Sequence, residues 1–138
     1  MSKRSTLALV TFLALAFATS AVAAYTTTAT LDLKGGFASR THKACGVTHH
    51  YTLFHPGRSI ALAGIVRPAP SSFRVKLKVK QCVRGTFRTT WVGSAHERTD
   101  GSYRGSYLPR ARGLFFVRAY VHIGTRTVKS DKRYFQIT

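Results

Sequence analysis

Eight residues in the middle of the chain decide the fold: Phe73-Arg74-Val75-Lys76-Leu77-Lys78-Val79-Lys80. The odd-numbered positions are apolar and the even-numbered positions are cationic. Because successive side chains of a β-strand point to opposite faces, this period of two predicts a strand with one face in a core. An α-helix would spread the cations around its circumference and leave no apolar stripe. The other face of the strand then carries a row of positive charge, formed by Arg74, Lys76, Lys78 and Lys80.

The rest of the chain continues this pattern of strands and turns. Further strands are predicted over residues 48–54, 59–66, 87–95, 103–107, 114–123 and 133–138, with another near Ala29. The apolar run 59–66 is typical of a strand buried on both sides, and the polar stretches 34–45 and 124–132 are interpreted as loops. Asp100-Gly101 predicts a two-residue hairpin turn. Turn signals about every 8–12 residues therefore predict one all-β domain, an antiparallel sandwich of seven to eight strands.

One prediction concerns the strand over residues 87–95. Strict alternation places Phe87, Thr89 and Trp91 on the same face. Trp91 is the only tryptophan in the chain. We interpret it as a core anchor, because a large aromatic ring buries more apolar surface than other side chains do.

The N-terminus has the features of a secretory signal peptide. Lys3 and Arg4 precede an apolar run over residues 7–17, and small residues follow up to Ala24. This run is shorter than the roughly 18 apolar residues that a membrane anchor needs. We predict a signal peptide over residues 1–23, cleaved after Ala23 or Ala24, followed by an N-terminal strand and loop (24–46) and the sandwich (47–138). The expected location is outside the cell or at the cell envelope, with no membrane span after processing.

The composition is strongly basic. Without Lys3 and Arg4 the chain has 20 cations against four acids, a net charge of +16. Such a charge favours polyanionic partners and destabilises the compact state by self-repulsion. The alternative is that arginine is abundant because of codon usage in a GC-rich genome, so that the charge is incidental. The sequence leaves both explanations open.

The two cysteines predict a disulfide. Cys45 and Cys82 form an even set in a chain expected to reach an oxidising compartment. A bond between them closes a loop of 37 residues and stabilises the fold by roughly 4 kcal/mol in the chain-entropy treatment.

Residues 42–50 bring histidines close to Cys45 and are a candidate metal site. Imidazole and thiolate are good ligands for zinc or copper. However, a disulfide would remove Cys45, and the neighbouring His49 and His50 point to opposite faces of a strand. We therefore predict no metal ion and no other cofactor.

Catalysis is also not expected. The chain has only four acids, so a pair of catalytic carboxylates is improbable, and Gly-x-Ser-x-Gly, phosphate-binding loops and dinucleotide fingerprints do not occur. We predict a protein that is not an enzyme and has no catalytic residues.

Two surfaces are candidates for binding. The first is the row Arg74, Lys76, Lys78 and Lys80. The alternative explanation for this row is a solvated strand face, on which lysine discourages pairing at a sheet edge. The second is the even face of the strand over residues 114–123, which alternates Phe116, Arg118 and Tyr120. Aromatic rings between cations can stack on sugars or bases, although in a sandwich they can also simply pack.

Several motifs occur in a familiar order. They are Gly64-x-Val66-x-Pro68, Val75-x-Leu77, Gly85-Thr86-Phe87, Asp100-Gly101-Ser102-Tyr103, Gly113 and Val117-Arg118-Ala119-Tyr120. In this respect the chain from Gly57 onward resembles the small immunoglobulin-like modules of secreted and surface proteins of actinobacteria. The resemblance implies an immunoglobulin-like sandwich used for adhesion, spacing or binding.

Together these observations predict a secreted basic module that binds anionic envelope polymers or other polyanions. Nucleic acid is an expected ligand only without sequence specificity. The alternative is a structural or protein-interaction domain at the cell surface, with a protein partner and incidental charge.

Overall fold

A computed structural model describes residues 26–138, and the predicted signal peptide lies outside them. These residues form twelve strands and no helix, so none of them lies in a helix able to span a membrane. In chain order the strands are β1 (Thr28–Ala29), β2 (Asp32–Lys34), β3 (Ala38–Ala44), β4 (Val47–Phe54), β5 (Ile60–Arg67), β6 (Arg74–Val83), β7 (Thr86–Ser94), β8 (His96–Glu97), β9 (Ser102–Tyr107), β10 (Gly113–Ile123), β11 (Arg126–Lys129) and β12 (Arg133–Ile137).

The strands form two sheets, which confirms the all-β prediction. The small sheet has the order β1-β5-β9-β8, with β2 also paired to β5. The large sheet has the order β3-β4-β12-β10-β6-β7, with β11 also paired to β10. Neighbouring strands are antiparallel except β4 and β12, which run parallel.

The main core lies between the two sheets, as in a β-sandwich. From the small sheet it takes Leu62, Val66 and Tyr103, and from β6 and β10 it takes the side chains of one face only. Val75, Leu77 and Val79 are at most 1% exposed, whereas Arg74 and Lys76 are exposed. The predicted register of β6 is therefore confirmed. The alternation along β10 is confirmed too, with Val117, Ala119 and Val121 in the core.

Two segments predicted as loops contain strands. The stretch 34–45 includes β3, which pairs with β4 from Ala38↔Leu53 to Ala44↔Val47. The stretch 124–132 includes β11, which pairs with the end of β10. Both strands are polar and mostly exposed, and β3 buries only Ala44 fully. Their strand structure comes from backbone pairing with an apolar neighbour, a source of stability that leaves no hydrophobic pattern of its own.

Two further details differ from the prediction. Strand β5 is not buried on both sides: Ile60, Leu62 and Val66 are buried, while Ala61 is exposed. The turn at Asp100-Gly101 is a three-residue turn, because the amide of Arg98 donates to the carbonyl of Ser102 at 2.8 Å. Only Gly101 in this turn has a positive φ, whereas a two-residue type I′ turn needs two such residues.

A β-bulge in β7 separates two residues predicted to share a face. Val79 pairs with Trp91 but Lys80 pairs with Thr89, so Thr90 is an extra residue. A bulge of this kind reverses the alternation on either side of it. Phe87 consequently packs against Phe116 on the outside of the large sheet, while Trp91 contacts Tyr107 between the sheets. Trp91 packs against the main core, as predicted, but it is only half-buried.

The predicted disulfide is formed, and it bends the large sheet. Cys45 lies at the tip of the β3–β4 hairpin, and β12 and β10 lie between β4 and β6, which carries Cys82. Three strand spacings in a flat sheet would span roughly 14 Å, but the Cα atoms of the two cysteines are 5.9 Å apart. The hairpin therefore leans over the outer face of its own sheet.

Under this hairpin lies a second, smaller core. Four buried side chains are separate from the main core, and we call them the hairpin core: Ala44, Tyr51, Leu53 and Phe116. The ring of Tyr134 contacts two of them, with its centroid 5.5 Å from that of Tyr51 and 5.6 Å from that of Phe116. The ring of His49 stacks on Tyr134 at 3.6 Å. Part of the outer face is thus covered, and the remainder is open.

Candidate functional site

The predicted row of cations lies on the outer face of a central strand. β6 is paired on one side with β10 and on the other with β7. Since neither edge of β6 is free, protection of a sheet edge does not explain Lys76, Lys78 and Lys80. Their pairing partners on β10 are Tyr120, Arg118 and Phe116, in that order. Cross-strand partners point to the same face, so the two surfaces predicted separately form one surface.

Strand β11 and the loop after it add further cations to this surface. Lys129 is the cross-strand partner of Tyr120, and the Nζ atom of Lys132 lies 4.9 Å above the ring of Phe116. We call the whole set the outer basic face: Arg74, Lys76, Lys78, Lys80, Arg118, Lys129 and Lys132. The outer basic face is assembled by long-range strand pairing. For this reason the sequence predicted its separate segments but not the whole surface.

Two aromatic rings hold lysine side chains in place on this face. The Nζ atom of Lys78 lies 4.6 Å from the centroid of the Tyr120 ring, and that of Lys129 lies 5.7 Å from it. The Phe116 ring has Lys132 at 4.9 Å and Lys80 at 5.9 Å. Each cation–π contact contributes roughly 0.5–1 kcal/mol at an exposed site. The ammonium groups are therefore positioned before any ligand binds.

The three residues of the predicted stacking face have different surroundings. Phe116 is only 4% exposed because it belongs to the hairpin core, so it has no ring face open to a ligand. The Nε atom of Arg118 donates to the carbonyl of Ser130 at 2.7 Å. Tyr120 is half-buried beside two lysines. Phe116 therefore packs inside the protein and does not stack on a ligand.

The acids of the chain do not neutralise the outer basic face. Strands β6, β10 and β11 contain no Asp or Glu. Asp32 pairs with Arg133 at 3.4 Å, and Glu97 accepts a hydrogen bond from the amide of Val75 at 2.7 Å. Asp100 accepts hydrogen bonds from Ser102, which lower its pKa, and Asp131 lies in the loop between β11 and β12. The face consequently keeps its positive charge.

The histidine-rich stretch is part of the hairpin that covers Tyr134. Cys45 is in the disulfide, and His42 and His49 are cross-strand partners on the inner side of the hairpin. His50 points the other way and lies 3.3 Å from the hydroxyl of Thr41. Residues 26–138 contain no group of three or more His, Cys, Asp or Glu side chains arranged to hold a metal ion.

No protein-family model matches the chain, and a search of curated proteins gives no significant match.

Proposed function

We propose that the protein is an exported, non-enzymatic module that binds extended polyanions, such as anionic polymers of the cell envelope, through the outer basic face. The observation that carries the proposal is the arrangement of seven cations on one sheet surface, six of them on strands that contribute no acid. A polyanion gains entropy from released counterions at such a surface. Successive cations along β6 are about 6.6–6.8 Å apart, so an extended chain can meet them one after another.

The type of cation argues against incidental charge. Residues 26–138 contain seven lysines and thirteen arginines. Five of these lysines lie on the outer basic face, and the other two are Lys34 and Lys43. A codon bias toward arginine would leave lysine scarce everywhere and would not gather it on one face. Lysine also suits this role, because its compact ammonium group binds phosphate as a point charge.

The strand order supports the finer interpretation of the fold as immunoglobulin-like. The series β2-β5-β9-β8 opposite β12-β10-β6-β7 corresponds to strands A-B-E-D opposite G-F-C-C′ of that fold. The disulfide differs, because it lies within the large sheet and does not connect the two sheets. Such a sandwich presents its outer sheet faces to large ligands, which suits a binding module.

Export rests on the signal-like N-terminus together with the disulfide, which persists in an oxidising compartment. The mass of the protein recovered from culture supernatant or from the cell wall tests this part of the proposal. A chain that begins at Ala24 or Tyr25 is expected. A chain that keeps residues 1–23 and stays inside the cell would contradict it.

Binding is tested by titrating salt against affinity for a glycerol-phosphate polymer, heparin and single-stranded DNA. For single-stranded DNA the log–log slope is about −0.7 for each phosphate contacted. Replacement of Arg74, Lys76, Lys78 and Lys80 by Gln should flatten it by roughly 3, since four contacts are lost.

The matched control replaces four exposed arginines away from this face: Arg58, Arg67, Arg98 and Arg104. Both variants lose the same net charge, so only a local site distinguishes them. Equal slopes for the two variants would show that net charge alone drives binding. The alternative function, a structural or protein-interaction domain, would then be favoured.

A further inference from the structure

A cleft opens between the two sheets, on the opposite side of the large sheet from the outer basic face. Its volume is about 490 Å³, within the range of small-molecule sites. The walls come from β6, β7, β9 and β10, and residues 108–111 form the rim. Three of the lining residues are aromatic: Trp91, Tyr107 and Phe115. The cleft is therefore separate from the site proposed above, and its chemistry is different.

The position of Trp91 depends on two local features of β7. The bulge at Thr90 turns the indole from the outer face toward the cleft. The ring then lies across Gly93, where a Cβ atom would collide with the Cζ2 and Cη2 atoms of the indole. The centroid of the indole is 5.1 Å from that of Tyr107, at an interplanar angle of 51°. The only tryptophan of the chain is thus fixed at the cleft and only half-buried.

Polar groups line the same cleft at three points. The Nε2 atom of Gln81 donates to the carbonyl of Arg112 at 3.2 Å, which orients the amide and leaves Oε1 as the acceptor for a ligand. The hydroxyl of Thr90 donates to the carbonyl of Val79 at 3.3 Å, so its oxygen is left as an acceptor, and Arg110 is exposed at the rim. An indole ring beside an amide, a hydroxyl and a cation is suited to an acidic sugar. A sugar ring offers C–H groups to the indole and hydroxyls to the polar groups, and a carboxylate on the sugar would pair with Arg110.

We infer that this cleft binds an acidic saccharide, with the sugar ring on Trp91 and its carboxylate on Arg110. The inference does not depend on the outer basic face. A glycan that carries uronic acid residues is the expected ligand. An oligosaccharide would have one end inside the cleft and the rest along the rim.

The test uses tetragalacturonate and its fully methyl-esterified form, in which a methyl group on each carboxyl removes the negative charge. Because Trp91 is the only tryptophan, its fluorescence emission reports on the cleft alone. At about 0.3 M salt, where long-range attraction between charges is screened, tetragalacturonate should shift the emission to shorter wavelength in a saturable manner. Its methyl ester should bind roughly tenfold more weakly, because the charge-assisted hydrogen bond is lost.

Two variants make the result specific. Arg110→Gln should weaken tetragalacturonate binding about tenfold and leave the methyl ester unchanged. Arg58→Gln removes the same charge from an exposed site that does not line the cleft, and should change neither. Replacement of the four cations of β6 by Gln should also leave the emission shift in place. The inference is overturned if neither saccharide gives a saturable shift, or if Arg58→Gln weakens binding as much as Arg110→Gln.

Discussion

Cys45 lies in the turn that leads into β4, and Cys82 lies on β6, three positions away from β4 in the order of the large sheet, yet the Cα atoms of the two cysteines are 5.9 Å apart. This closure puts the β3–β4 hairpin over Phe116 and Tyr134 and leaves Arg118, Tyr120 and their lysine neighbours open. The disulfide thereby determines where the hairpin core ends and the outer basic face begins.

The double replacement Cys45→Ser and Cys82→Ser is expected to lower the free energy of unfolding by roughly 4 kcal/mol, because the unfolded chain regains the freedom of a long loop. The loss should be local first: amides of β3 and β4 should exchange faster with solvent than those of β6 and β10, whose core does not involve the bond. Denaturant unfolding and hydrogen exchange measure the two effects. Uniform acceleration of exchange in all strands would contradict the proposed division into two cores.

Substitutions at adjacent positions of β6 test the main core. Leu77 is fully buried, and Lys76 beside it is exposed. Leu77→Ala should cost about 2–5 kcal/mol because it leaves a cavity, whereas Lys76→Ala should change stability by less than about 0.5 kcal/mol. Denaturant unfolding of both variants gives the comparison. Similar losses at the two positions would show that the register of β6 is wrong.

The registers of β6 and β10 could be predicted from the sequence for a physical reason. Residues 74–80 of β6 and 117–123 of β10 alternate between apolar residues and residues with a polar group, so each segment indicates its own register. The faces of β7 were predicted wrongly, because the bulge at Thr90 depends on pairing with β6 and cannot be recognised in the sequence. β3 was predicted as a loop, because its stability comes from pairing with β4 and from the disulfide and not from an apolar pattern of its own.

The candidate site was predicted in part for a similar reason. Arg74, Lys76, Lys78 and Lys80 lie within one strand, so a local pattern reveals them. Lys129 and Lys132 join them only because β11 and β12 pair with β10, and such contacts are not visible without the fold. The cleft at Trp91 could not be predicted from the sequence, because the bulge that turns the indole toward it depends on the pairing of β7 with β6.

The hydroxyl groups of two buried tyrosines are expected to differ in their effect on stability. Within residues 26–138 the hydroxyl of Tyr51 is buried without a hydrogen-bond partner from the protein, whereas that of Tyr103 donates to the carbonyl of Thr30. An unpaired buried polar group is costly, and a lost hydrogen bond costs about 0.5–1.5 kcal/mol. Tyr51→Phe should therefore be neutral or stabilising, and Tyr103→Phe should be destabilising, in thermal or denaturant unfolding. A larger loss from Tyr51→Phe would mean that an ordered water or another group satisfies its hydroxyl.

The same tyrosines predict a loss of stability at high pH. Burial raises the pKa of Tyr103, with a smaller contribution from the charge of Asp32, and burial also raises the pKa values of Tyr51, Tyr107 and Tyr134. A tyrosine that stays protonated in the folded state but ionises in the unfolded state makes its full contribution below about pH 10. That contribution is lost as the pH rises toward the raised pKa, at about 1.4 kcal/mol per pH unit for each such group.

Deprotonation of lysine acts in the opposite direction over this range, because it reduces repulsion among the cations. Comparing the wild type with Tyr103→Phe separates the two effects, since both proteins have the same lysines. Between pH 9 and about 11 the free energy of unfolding should fall more steeply for the wild type than for Tyr103→Phe. Urea unfolding at a series of pH values measures both slopes. Parallel curves would show that Tyr103 ionises as readily in the folded state as in the unfolded chain, and that its burial does not control its titration.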